Sequence, residues 1–498
     1  MSLPVSRGRL RGFYEQPPAH ANKASGSGSS TAEVQPSAMP KICIGGIKSG
    51  SIQSAGMKIR FWGTRGSIAT PGPATVRYGG NTSCVELRAA DGTLIVLDCG
   101  TGAYGLGKAL TQSGEPVTGN LMIGHTHWDH IQGFPFFDPL FVERSNWTVY
   151  APGGGDQRLQ STLAGQMAYE YSPINLGSLM AEISYADLTE GVFEVGSVRV
   201  TTQYLNHPAL TLGFRFEVDG VTVVYACDHE PHSLHPLDAP AGAEPIHHED
   251  RRHVKFLEGA DLIIHDAQYT LADFPAKAGW GHTPLERAVD YAIRARTKRL
   301  IFTHHDPDRD DDAIDALCAV ARERAATASY TPEIEPAAEG AFIELKGDKK
   351  VRRGSLGSDS SALLAVSGRG PATVLIVDDD PDMVLLLEAA LRADGIRVIT
   401  AEDGETALRQ IREKRPSLVL LDMRLPDLDG MKVCKMLRAE TDPGLRDIPI
   451  LILTGLKLTE ADLVEAFVAG ATDYLTKPIK PTLVRSRVRS WLLRTVSP

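Results

Sequence analysis

The sequence predicts two α/β domains: a sandwich of two sheets covered by helices, then a doubly wound parallel sheet of (βα)5 form. Three observations carry this. Strand-like and helical runs alternate along the chain in two different rhythms. A stretch rich in Ser and Gly divides those rhythms. Fourteen of the fifteen histidines lie between His125 and His305, in the first region alone. At about 100–200 residues per domain, 498 residues leave room for two to four domains. A content of 42% hydrophobic and 23% charged residues is ordinary for a globular protein. No apolar run approaches the roughly 18 residues of a membrane span.

Residues 1–56 are rich in Ser, Gly, Ala and Pro, as in the run Ser25 to Ser30, and read as a disordered tail. Arg7, Arg9 and Arg11 stand there without an apolar core, so no secretory signal is expected. Residues 347–371, including Gly354 to Ser361, read as a flexible linker. The folded regions are then 57–346 and 372–498.

In the first region, strands are expected at 58–62, 83–88, 94–97, 121–125, 198–205, 213–218, 221–227, 262–265, 299–303 and 341–345. Helices are expected at 156–168, 284–296 and 311–326. So many strands with helices between them call for two sheets with helices outside. In the second region, strands at 373–377, 397–401, 418–421, 450–454 and 474–476 alternate with helices at 382–392, 405–413, 430–438, 460–468 and 484–493. Those strands are continuous apolar runs, as a parallel sheet covered on both faces requires.

The net charge of −10 is uneven: +4 over 1–56, −12 over 57–371 and −2 over 372–498. An acidic middle region is a poor platform for long polyanions, whose binding rests on neutralising phosphates. The six cysteines at 43, 84, 99, 227, 318 and 434 form no C-x-x-C pair. This fits a reducing cytoplasm better than a disulfide framework.

The central motif is His125-Thr126-His127-Trp128-Asp129-His130, after the apolar run Leu121 to Gly124. On an extended backbone His125 and His127 point to one side. Asp129 could cap the next turn and swing His130 toward a second ion. Imidazoles for one ion, and an imidazole with a carboxylate for its neighbour, suit borderline-soft divalent metals.

These residues resemble the metallo-β-lactamase superfamily, whose signature is H-x-H-x-D-H on an αββα sandwich. The resemblance covers about 57–346. The run Lys58 to Ser67 is similar to that family's opening strand and glycine turn. Asp98, in Leu97-Asp98-Cys99-Gly100-Thr101-Gly102, matches its buttress of the metal loop. His207, Asp228 and His304 match the later ligands. The resemblance implies one site from His125, His127, His207 and Asp228, and another from Asp129, His130, Asp228 and His304. Zn²⁺ is the first expectation for both ions, with Mn²⁺ or Fe as alternatives. His305 is expected to be solvated or to sit behind the ligands.

Two close ions can activate water and polarise a phosphoryl or carbonyl oxygen. His130 argues against antibiotic hydrolysis, because true β-lactamases of this fold usually lack a histidine there. The stretches Leu262 to Tyr269 and Gly279 to Pro284 resemble the paired motifs of the ribonuclease Z and phosphodiesterase branch. By that resemblance His282 stands near the scissile phosphate and Asp266 supports it. Asp129, His282 and Asp266 are thus the candidate catalytic residues. A second reading has His282 capping the helix that follows. Asp266 replaces a longer Glu, which leaves the His–acid distance open. Only 20 residues separate His207 from Asp228, with no basic arm of the kind ribonuclease Z carries. The expected substrate is a small phosphodiester, such as a cyclic nucleotide or short oligonucleotide. Alternatives are a glyoxalase II-like thioesterase or lactonase, or a non-catalytic two-component signalling platform. The six histidines of 229–253 suggest a lid or an ordinary solvated insertion.

In the second region Asp378 and Asp379 end the first strand, Asp422 the third, Thr454 the fourth, and Lys477 follows the fifth. Ligands collect at such strand ends. Acids there hold a hard cation such as Mg²⁺, and a lysine neutralises a phosphoryl group. This resembles a response-regulator receiver with the flavodoxin-like fold. By resemblance Asp422 is phosphorylated, and Asp378, Asp379 and Asp422 bind Mg²⁺. Thr454 and Lys477 contact the phosphoryl group, Tyr474 is the switch or a packing residue, and Lys477-Pro478 is cis. The partners expected are a small phosphodiester substrate and a sensor histidine kinase or phosphotransfer protein. No DNA-binding domain and no membrane are expected, and a homodimer is compatible with the reading.

Overall fold

A computed structural model of the chain describes residues 56–153, 158–232, 240–243, 247–347, 372–455, 466 and 469–494. Apart from Gly56, Gly347 and Ala466, the expected tail, linker and 460–468 helix lie outside the described residues. Fourteen strands build the first region among these residues: β1 (Gly56–Gly63), β2 (Cys84–Ala89), β3 (Leu94–Leu97), β4 (Thr118–Met122), β5 (Asn146–Pro152), β6 (Glu182–Leu188), β7 (Gly191–Val195), β8 (Val198–Leu205), β9 (Thr211–Val218), β10 (Val221–Ala226), β11 (Leu262–Asp266), β12 (Arg299–Thr303), β13 (Glu333–Pro336) and β14 (Phe342–Lys346). They form two seven-stranded sheets, ordered β14-β1-β2-β3-β4-β5-β6 and β13-β12-β11-β10-β9-β8-β7.

Alternation dictates how the sheets meet. In β1, Met57, Ile59 and Phe61 are buried while Lys58 and Arg60 are exposed, so one face goes inward. That face meets Val198, Val200, Phe214 and Phe216 of the other sheet in a shared core. The outer face of the first sheet, with Val96, Leu121 and Val149, is covered by Ala103 and Leu106 of the Gly102–Thr111 helix. The outer face of the second sheet, with Val224 and Ile263, takes Ala288 and Val289 of the Leu285–Arg294 helix and Ile314 of the Asp311–Ala326 helix. This is the αββα sandwich.

The second region carries β15 (Thr373–Val377), β16 (Arg397–Ala401), β17 (Leu418–Asp422), β18 (Ile450–Thr454) and β19 (Asp473–Thr476), all parallel, in the order β16-β15-β17-β18-β19. Both faces are covered, by two separate apolar cores. The Lys477–Pro478 peptide is cis.

Several expectations need correction. β4 ends at Met122, not at residue 125. Gly124 donates its N–H to Asp98 Oδ1 at 2.7 Å, which turns the chain inward and places His125 and His127 on a loop. β5, β6, β7 and β13 were not expected; β6 is an edge strand with few buried side chains and a weak alternating signal. The His-rich stretch is neither a lid nor a solvated insertion where it is described. His248–Leu257 is a helix capped by His247, and His229, His247 and His253 are buried. Residues 233–239 and 244–246 of it lie outside the described residues. Among the described residues, the five cysteines are free and buried, and no helix is long and apolar enough to cross a membrane.

Phe214 is fully buried between the sheets. Phe214→Ala should cost about 3–5 kcal/mol in chemical denaturation of the full chain. A loss below about 1 kcal/mol would contradict its place in the shared core.

Candidate metal centre

The loops that follow β3, β4, β8, β10 and β12 all deliver side chains to one end of the sandwich. His125, His127, Asp129 and His130 come from the β4 loop and the short Trp128–Ile131 helix. His207 follows β8, Asp228 follows β10, and His304 follows β12. The rings of His127, His130 and His207 lie 4.3–4.5 Å from that of His125, centre to centre.

The spacing of the polar atoms tests whether metal ions fit. Ligand atoms on a tetrahedral Zn²⁺, with bonds of about 2.0–2.2 Å, stand about 3.3–3.6 Å apart. Here His207 Nε2 and His127 Nδ1 are 3.1 Å apart, and Asp228 Oδ2 is 3.5 Å from His125 Nε2 and 3.8 Å from His207 Nε2. On the other side, His130 Nε2 is 3.2 Å from Asp228 Oδ2 and 3.4 Å from Asp129 Oδ2. His304 Nε2 is 3.1 Å from Asp129 Oδ2 and 3.2 Å from Asp228 Oδ1. Both ring nitrogens of His125 and Nε2 of His130 are buried and make no hydrogen bond. The two groups therefore fit two divalent ions sharing Asp228.

Electrostatics agree. Burial pushes His125 far below the usual imidazole range, His130 adding to it, and takes His207 down to about 3. Neutral imidazoles are what a metal requires. Burial disfavours a charged His130, yet Asp228, Asp129 and Asp98 raise it well above its ordinary value. Burial likewise opposes ionisation of Asp129, but His130 and His304 hold it well below the carboxylate range. The pocket thus calls for cationic charge, which divalent ions supply.

Behind the ligands, Asp98 Oδ2 faces His130 Nδ1 at 2.8 Å and accepts from Tyr225 Oη at 2.6 Å. Gln268 Oε1 faces His304 Nδ1 at 3.0 Å, and the Gly281 carbonyl faces His207 Nδ1 at 2.9 Å. Such partners fix ring orientation. Gly66 and Gly281 are required by close approach: a Cβ would stand 2.3 Å from His304 Nδ1 and 2.1 Å from His207 Nδ1 respectively.

One expectation about a single residue changes and two pairs of alternatives narrow. Asp129 does not cap the turn; it lies inside the short helix and accepts the Ser67 N–H at 2.8 Å. His305 is not solvated; it is buried, and its Nε2 bonds the Ala337 carbonyl at 2.8 Å. His282 does not cap the Leu285–Arg294 helix, which has no side-chain cap. Instead its Nδ1 lies 3.2 Å from Asp266 Oδ2, and its ring stacks on His304 at 4.8 Å. The shorter Asp266 therefore reaches. Burial opposes a charged His282, but Asp266 prevails and lifts it to about 9.

In the second region, Lys477 Nζ bridges Asp378 Oδ2 at 2.9 Å and Asp422 Oδ1 at 3.1 Å. Burial, with Asp378 close by, raises Asp422 against the pull of Lys477. Asp379 completes an acidic trio with Asp378 and Asp422 that could hold a cation. Thr454 ends the neighbouring strand β18. Tyr474 Oη donates to the His232 carbonyl, across the boundary between the two regions.

Residues 93–305 match the family model for the beta-lactamase superfamily domain, and residues 374–489 match that for the response regulator receiver domain. The chain joins a beta-lactamase-superfamily domain to a response regulator receiver domain. The receiver is similar to the DNA-binding response regulator MtrA of Mycolicibacterium smegmatis, 42% identical over 121 residues. That match covers 24% of this chain and 50% of MtrA, so the chain spans about half the length of the curated relatives it matches. The metallo-beta-lactamase fold protein YhfI from Bacillus subtilis is 18% identical, with a TM-score of 0.42, over 58% of this chain and 99% of that one. A diphosphatase from the PhnP family is 16% identical, with a TM-score of 0.40, over 59% of this chain and 99% of that one.

Sequence reasoning missed some of the beta-lactamase-superfamily domain's supporting residues. Tyr225 stands three residues before Asp228, and Gln268 two after Asp266, inside the Leu262 to Tyr269 stretch. Cys227 lies beside His130, Asp228 and His304, but burial keeps its thiol protonated, and it donates to Asp228 Oδ1 at 3.1 Å.

Asp98→Asn offers one acceptor oxygen, so it cannot serve both the Gly124 N–H, held by Oδ1, and the His130–Tyr225 pair, held by Oδ2. It should weaken zinc binding about 10–100-fold in a competition titration, with the circular dichroism unchanged. An unaltered affinity would show that Asp98 does not orient His130.

Proposed function

We propose that the protein is a two-metal hydrolase of a small phosphodiester, governed by phosphorylation of Asp422 in its receiver domain. The observation that carries this reading is the His282–Asp266 pair beside His304. When bound, the two ions supply Lewis-acid polarisation of a phosphoryl oxygen and acidification of water. His125, His127, His207 and Asp228 would hold one ion; Asp129, His130, Asp228 and His304 the other. Asp228 serves both, and Asp98 keeps His130 in register.

Hydrolysis forms a bond from water oxygen to phosphorus and breaks the bond to the leaving oxygen. An alkoxide is a poor leaving group and needs a proton. His282, held as the imidazolium by Asp266, supplies it. A thiolate leaves readily without one, so this pair favours phosphodiesters over thioesters. The rim supports a small aromatic-bearing substrate: Trp128 and Trp280 are 72% and 54% exposed, and Lys277 Nζ lies 4.8 Å over the Trp280 ring. Exposed aromatics stack on bases. The charge of −12 over 57–371 argues against long nucleic acids.

In the receiver, the phosphoryl group would come from a histidine kinase or phosphotransfer partner. Asp378, Asp379 and Asp422 would hold Mg²⁺, while Lys477 and Thr454 would neutralise the phosphoryl oxygens.

The test is a panel of phosphodiesters, thioesters and lactones with the Zn²⁺- or Mn²⁺-loaded full chain. Phosphodiesters should turn over fastest. His282→Gln should lower kcat about 10²–10⁴-fold for alkyl leaving groups and far less for p-nitrophenolate. Faster turnover of thioesters or lactones would overturn the assignment.

A further inference from the structure

Glu230 follows Asp228 by two residues and belongs to none of the candidate metal groups among the described residues. Its two carboxylate oxygens accept the N–H groups of Gly279 at 2.8 Å and Gly281 at 2.7 Å. Its own backbone is pinned to Asn206 on both sides, at 2.8 and 2.7 Å. Glu230 therefore clamps the turn that carries His282. Both glycines of that turn have positive φ, 78° and 93°, which glycine adopts without steric cost, and the clamp selects this one conformation from the many open to them. The same turn offers the Gly281 carbonyl to His207 Nδ1. One carboxylate thus places His282 on one side and steadies His207 on the other.

The receiver touches this clamp at three points. Tyr474 Oη donates to the carbonyl of His232, two residues past Glu230. Lys480 Nζ donates to the carbonyl of Ala278, next to Gly279, at 3.0 Å. Ser486 Oγ donates to the carbonyl of His207 at 2.6 Å. Two of these come from the segment that also carries Lys477, shared between Asp378 and Asp422. A phosphoryl group on Asp422 would draw Lys477 from Asp378 toward itself and shift its short segment. Tyr474 and Lys480 lie on that segment, three residues to either side of Lys477.

We propose that Glu230 is a positioning residue for His282, and that the receiver adjusts it through Tyr474 and Lys480. This rests on the reading of His282 as the proton donor to the leaving oxygen. The state of Asp422 is then read out as the efficiency of that proton transfer.

The test uses the metal-loaded full chain and the ratio of kcat for an alkyl phosphodiester to kcat for its p-nitrophenyl counterpart. Glu230→Gln keeps the size of the side chain but offers only one acceptor oxygen. Its ratio should fall at least about tenfold, in the direction of His282→Gln, with metal content unchanged. Equal losses on both substrates would mean a merely structural role and overturn the clamp. In the unsubstituted protein, beryllofluoride, a phosphoryl mimic, should shift the ratio. In Tyr474→Phe that shift should vanish; if it persists in full, the route through Tyr474 is wrong. A His282→Gln protein with the unsubstituted ratio would overturn the proton-donor reading and the clamp together. A shifted His282→Gln beside an unshifted Glu230→Gln would overturn the clamp alone.

Discussion

The candidate centre hangs on one buried carboxylate. Asp98 leaves the end of β3 in one sheet and accepts from Tyr225 on β10 of the other. It also holds the Gly124 N–H, which turns the metal loop inward, and faces His130 Nδ1. One side chain therefore ties the two sheets together, turns the loop and orients the His130 ring. A buried charge of this kind persists only when fully bonded, since an unpaired one costs several kcal/mol. The sheets' shared core holds Tyr225 in place, so packing and chemistry are not separable here.

The site is also where the backbone departs from easy conformations. Ser67, Asp98, Asp228 and His304 all have φ between 58° and 62°. Each such residue costs about 1–3 kcal/mol and is kept only where the surroundings over-determine it. The surroundings do so by hydrophobic cores on both faces of each sheet. Strain at the strand ends is what lets loops from both sheets converge on one pocket.

Much of this was legible in the sequence because the chemistry is local. His125 to His130 lie within six positions, and the receiver strands are unbroken apolar runs. The sandwich was readable from β1, β8 and β12, whose patterns are strong. What was not legible depends on contacts distant in sequence. β6 pairs along an edge with little burial, so its pattern is faint. His305 reads as either solvated or behind the ligands until the chain at Ala337 folds over it. The His-rich stretch reads as loop, yet His253 packs on His229 with rings 4.0 Å apart, and His253 Nε2 meets His265 Nε2 at 2.9 Å. Polar composition there conceals burial. The contacts of Tyr474 and Ser486 with the other domain belong to the same class.

The proposed chemistry requires a two-ion centre at this convergence of loops. Anomalous diffraction at the zinc edge, on crystals of the metal-loaded protein, tests it most directly. Two peaks are predicted: one among His125, His127, His207 and Asp228, the other among Asp129, His130, Asp228 and His304. A single peak, or peaks held by other side chains, would contradict it.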